Sequence, residues 1–162
     1  MILLQAFLNS VKLPNKQAMF KLNRIGMDIT VLYMSILVLL VSIPSLIDRL
    51  TATGGASADM QLFLLFVYFF LFYYLPLIIM VFLLLSLIAY IGTGISRLMR
   101  RKIRFPILWK MSAYTATIPF ILYTIIALIF KVDVMYLWLF LIYSILFIIK
   151  IITIYPKRKI RK

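Results

Sequence analysis

The sequence predicts an all-α, polytopic integral membrane protein with four transmembrane helices and an N-terminal amphipathic interface helix. Two observations carry that class. Apolar residues make up 65% of the chain at a mean hydropathy of +1.12, whereas soluble domains run at about 45–50% apolar, so too little polar surface remains to coat a globule in water. The charges, 18 Lys and Arg against 4 Asp, are confined to intervals between long uncharged stretches.

Residues 1–24 form a cytoplasmic interface segment. Leu3, Leu4, Phe7, Leu8 and Val11 fall in one helical stripe while Gln5, Asn9 and Lys12 lie away from it, which is the period of an amphipathic helix. It is too short and too polar to span. Its apolar face is expected in lipid, with Lys12, Lys16 and Lys21 near anionic headgroups. Leu13-Pro14-Asn15 should end it, and a second short helix should carry Met19, Phe20 and Leu22 into the first span.

The spans follow from length. A helix needs about 20 residues to cross a hydrocarbon core of about 30 Å. Residues 29–47 and 111–130 fit one crossing each, and 134–155 fits a third if Lys150 extends its amine toward the headgroups. The uncharged stretch 61–96 is too long for one crossing and barely enough for two, and positive charge decides between them. With a single crossing and the N-terminus inside, only Arg49 and Lys131 lie outside, whereas a hairpin splits the cations far more evenly. The positive-inside rule therefore places the second span at 77–96 and both termini in the cytoplasm.

Residues 61–76 then become a lead-in, rich in aromatic rings from Phe63 to Tyr74. Such rings gather at membrane interfaces, so the segment is either an outer-leaflet helix or the tilted start of one long helix with Pro76 as a modest kink. Between the first two spans, residues 51–59, rich in Gly, Ala, Ser and Thr, read as an outer loop. Ala56-Ser57-Ala58 has the form of a leader-peptidase site, but the apolar run ends well upstream of it. The whole of 1–162 is expected to be one membrane domain.

Composition excludes much chemistry. Cys and His are absent and no Glu occurs, which removes thiolates, disulfides, the usual metal ligands and the neutral-pH proton carriers. Apart from Lys150, the spans carry no charge, the usual sign of an intramembrane transport or catalytic site. No enzyme activity, metal or cofactor is expected. Gly92-Thr93-Gly94 lacks the residues of a phosphate loop, and close packing or helix flexibility explains it better.

Three features remain. Ser112, Ala113, Ala116 and Thr117 make a strip of small side chains that lets another helix approach closely. Pro44, Pro76 and Pro119 are expected to kink their helices. Arg97, Arg100, Arg101, Lys102 and Arg104, with Lys157, Arg158 and Lys159 of the tail, are expected to contact anionic lipid, a commoner role for juxtamembrane cations than nucleic-acid binding.

The segment Leu13-Pro14-Asn15-Lys16 with Phe20-Lys21-Leu22-Asn23-Arg24-Ile25-Gly26, the run Ser42-Ile43-Pro44-Ser45, and Lys102-Ile103-Arg104-Phe105 through Trp109-Lys110-Met111-Ser112-Ala113-Tyr114 to Ile118-Pro119 resemble the domain-of-unknown-function 1189 family of bacterial membrane proteins, some described as maltodextrin-utilisation proteins. The resemblance implies a cytoplasmic-membrane location and a multi-span helical fold, and carries over no catalytic residues. Family members have a larger extracytoplasmic segment between the first two spans, where this chain has only residues 48–60. The functional expectation is an accessory or scaffold subunit with a membrane-protein partner or a second copy of itself. The alternative is a channel or carrier for a small solute or lipid.

Overall fold

The structure is a computed structural model that describes residues 2–51, 62–101, 103–130 and 135–156. The outer loop, Ala56-Ser57-Ala58, Lys102, Lys131 and the tail cations Lys157, Arg158 and Lys159 lie outside the described residues.

Every regular element among the described residues is helical. The order is α1 (Ile2–Val11), α2 (Lys16–Arg24), α3 (Met27–Thr51), α4 (Leu62–Phe69), a π-helical turn (Phe70–Tyr74), α5 (Leu75–Leu98), α6 (Phe105–Thr115), α7 (Thr117–Ile129) and α8 (Met135–Ile154). Three helical stretches are long and apolar enough to cross a membrane by length and composition: Met27–Thr51, Leu62–Leu98 and Phe105–Ile129. The apolar part of α8 from Leu139 to Ile154 is shorter.

Local chemistry accounts for the boundaries. The chain leaves α1 at Lys12 to Pro14, and Asn15 caps α2 by accepting the Gln17 N–H at 3.1 Å, as an N-cap side chain does. At Ile25 and Gly26 the backbone turns into α3. Arg24 and Asp28 therefore do not share one continuous helix, and their four-residue spacing does not set them one turn apart as an ion pair.

The three prolines behave differently. Pro44 is buried within an unbroken α3, and nearby Ser42 donates to the Leu39 carbonyl at 2.7 Å. Pro76 lies two residues after the end of the π-turn, and the helix continues from Leu62 to Leu98. A proline ring presses on the carbonyl four residues back, here Phe72, and a π-turn is a common way for a helix to absorb such an interruption. Only Pro119 coincides with a break, at Ala116 between α6 and α7. Residues 62–76 run on into α5 as one helical stretch, Leu62–Leu98.

The core lies around α6. Leu108, Met111, Ala113 and Tyr114 are fully buried, in contact with elements on several sides: α5, α8, α2, α3 and α1. Helix α1 does not simply lie on a surface. Ala6 and Ser10 are buried, Leu3 and Phe7 are partly buried against the core, and Leu4, Leu8 and Val11 are exposed. The predicted stripe is split because the small Ala6 and Ser10, one turn apart, let α1 close onto α3, α6 and α7. In α2, Met19 and Leu22 are buried while Phe20, rotated off that face, packs near the Tyr155 ring at 6.0 Å.

Candidate functional site

The polar interior is a set of paired hydroxyls between α3 and the α6–α7 pair. Thr30 Oγ1 lies 2.9 Å from the Gly26 carbonyl and 2.9 Å from Tyr114 Oη. Because Thr30 has one proton and the carbonyl can only accept, Tyr114 is the donor in the second bond. One turn deeper, Tyr33 Oη and Thr117 Oγ1 are 2.8 Å apart, and the Tyr33 and Tyr114 rings pack at 5.4 Å. All four residues are buried. Ser112 and Thr124 donate back to the carbonyls of Leu108 and Phe120. These groups satisfy one another or the backbone, as most buried hydroxyls do. Thr115 Oγ1, beside the break before Pro119, is buried with no hydrogen-bond partner.

Ser112, Ala113, Ala116 and Thr117, the small-residue strip, are each fully buried within this chain. The close approach they allow is used by the chain's own helices.

A second polar node joins α2 to α6. Lys110 Nζ donates to the carbonyls of Asn23 at 2.6 Å and Ile25 at 2.9 Å. A cation here neutralises the negative end of α2. By its position in the sequence, Lys110 belongs to a basic loop ahead of the third span. Helix α6 instead starts at Phe105, so Lys110 is one turn inside it. The available signal was a lone cation following Ile107-Leu108-Trp109.

The described members of the expected lipid-contacting cations differ in exposure. Arg97, Arg100 and Arg104 are exposed, and Arg100 has a positive φ of 52° at the turn after α5. Arg101 is half-buried and donates to the Tyr155 carbonyl, tying the end of α8 to this turn. Together with Lys110, this brings the start of α3, the end of α5 and the end of α8 to one end of the bundle.

At the other end, the π-turn sets Tyr73 and Tyr74 against α3. Tyr73 Oη lies 2.6 Å from Ser45 Oγ, Tyr74 donates to the Ser35 carbonyl at 3.0 Å, and the Arg49 guanidinium sits 5.3 Å from the Tyr73 ring centre. On α5, Trp109 of α6 donates to Ser86 at 3.1 Å while its ring stacks on Phe82. The opposite face of this long helix is bare, with Phe63, Leu83, Tyr90 and Leu98 all at least 66% exposed.

No group of three or more potential metal ligands occurs among the described residues. The described interior therefore presents mostly paired hydroxyls and two anchoring cations. These features define a class, an all-helical protein whose long apolar helices close on a hydroxyl-paired interior. Residues 51–155 match the family described as "Protein of unknown function (DUF1189)", and the chain belongs to that family. The motif at 102–119 falls inside the match, whereas 13–26 and 42–45 fall outside it. No curated protein and no solved structure matches the chain.

Proposed function

We propose that the chain is a four-span, non-enzymatic protein of the cell membrane, with both termini in the cytoplasm, acting as an accessory or scaffold subunit of a membrane complex. The observation that carries this reading is the long helix Leu62–Leu98. Only 22% of its most apolar window is buried, against 50% for Phe105–Ile129. The two tyrosine–threonine pairs of the interior are bonded to each other, and a wide apolar face is left for lipid or a partner helix. The small-residue strip supports a partner less than its sequence suggests, because it is consumed inside the fold. The partner surface is therefore the bare face of α5, where a Cβ added at Gly94 would meet no atom within 4 Å.

A solute route along this polar interior would meet the Thr30–Tyr114 and Tyr33–Thr117 pairs, which are closed by hydrogen bonds. The juxtamembrane cations Arg97, Arg100 and Arg104 suit anionic lipid.

The test is cross-linking in native membranes from single cysteines on the bare face, Leu83→Cys and Leu87→Cys, which is clean because the chain has no native Cys. A discrete cross-linked neighbour, absent for Ile88→Cys on the buried face, is expected. A chain that stays monomeric in membranes and in mild detergent overturns the scaffold reading. Orientation is read on the same background. Lys16→Cys should label only after permeabilisation and Ser57→Cys from outside, and the reverse overturns the topology.

A further inference from the structure

Between α1, α2 and the first turn of α3 lies a cleft of about 610 Å³, lined by both polar and apolar residues, among them Ile2, Gln5, Asn9, Lys21, Arg24 and Ile29. Lys21 and Arg24 are one turn apart in the last turn of α2 and both are exposed. Cations at this position ordinarily serve the carbonyls at the helix end. Here Lys110 already occupies two of them, the Asn23 and Ile25 carbonyls, so Lys21 and Arg24 are left to face something else.

Among the described residues the acid at the cleft is Asp28, whose carboxylate sits beside Gly26 at its edge. Two cations against one acid leave the cleft positive. The Gln5 amide adds a neutral donor, and the Asn9 amide is fixed by donating to the Gln5 carbonyl at 2.7 Å. Ile2 and Ile29 supply apolar wall, and the exposed Leu4, Leu8 and Val11 on α1 extend an apolar surface away from it.

We infer that this cleft is a binding site for one anionic phospholipid, with the phosphate held by Lys21 and Arg24 and an acyl chain along Ile2 and Ile29. A guanidinium can grip a phosphate through two parallel hydrogen bonds, and the ammonium one turn away adds a second charge. The site rests on the chain being in a membrane but not on its having a protein partner, so a failed cross-linking experiment leaves it standing.

The test uses the full chain in mild detergent, with native mass spectrometry to count bound molecules. The probes are phosphatidylglycerol, phosphatidylcholine and water-soluble glycerol 3-phosphate. One phosphatidylglycerol should be retained in preference to both others. At about 1 kcal/mol per basic residue, Lys21→Gln and Arg24→Gln should each weaken it roughly fivefold and together about 30-fold. Removing the same charge elsewhere, by Arg49→Gln with Lys150→Gln, should change it by less than about twofold. Equal losses from the two pairs would show a diffuse electrostatic attraction and overturn the site. Glycerol 3-phosphate binding as tightly as the lipid would reveal a free-phosphate site and overturn the lipid assignment. Both substituted side chains are exposed, so an unchanged melting temperature should accompany the loss.

Discussion

Gly92 and Gly94, two residues apart on α5, should respond in opposite ways to one added methyl group. At Gly92 the new carbon would lie 2.8 Å from Ile148 Cγ2 on α8 and 3.6 Å from a Leu108 methyl on α6. Ile148 is 1% exposed, and its β-branched side chain has little rotamer freedom. Either Ile148 leaves its well or α5 and α8 separate, and overpacking of this size costs about 1–3 kcal/mol. At Gly94 a Cβ meets nothing within 4 Å. Both substitutions gain the same helix propensity, about 1 kcal/mol, so their difference removes that contribution and isolates the packing. Gly94→Ala should therefore be more stable than Gly92→Ala by about 1–3 kcal/mol. Unfolding in detergent followed by tryptophan fluorescence reads it, and a gap of about 5 °C is expected between the two variants. Equal melting temperatures, or a more stable Gly92→Ala, would refute the close approach of α8 to α5.

Two further perturbations address the polar nodes. Lys110→Met should release the carbonyls at the end of α2, costing about 1.5–3 kcal/mol as expected for charge-assisted bonds. It should also make residues 12–26 more susceptible to limited proteolysis, and unchanged protection would show that Lys110 does not hold α2. A double-mutant cycle of Thr30→Val and Tyr114→Phe should give a coupling of about 0.6 kcal/mol, the average for hydrogen bonds between membrane helices, and no more than about 1.7. A coupling near zero would mean that the two hydroxyls do not meet.

The helical class, the positions of the long apolar helices and the turn at Pro14 and Asn15 were legible in the sequence, because each depends on local chemistry: runs without charge, a fixed rise per residue, and a capping side chain. The predicted 29–47 and 111–130 fall almost wholly within Met27–Thr51 and Phe105–Ile129. Less legible was how each helix would end or bend. Pro44 and Pro76 leave their helices continuous while Pro119 marks a break, because the outcome depends on how the freed carbonyls are accommodated.

What the sequence could not decide is which apolar face meets protein. In water, apolar means inside and periodicity identifies the core. In a chain this hydrophobic the outer surface is apolar as well, so Leu83 at 66% exposed and Leu85 at 0% carry the same hydropathy. Tertiary packing alone made that choice. It drew Ala6 and Ser10 onto the core, enclosed the small strip on α6, paired Thr30 with Tyr114, and turned Lys110 from a loop charge into the clamp on α2. Shape and hydrogen-bond geometry separate those residues from their neighbours, and neither is recorded in a pattern of hydrophobicity.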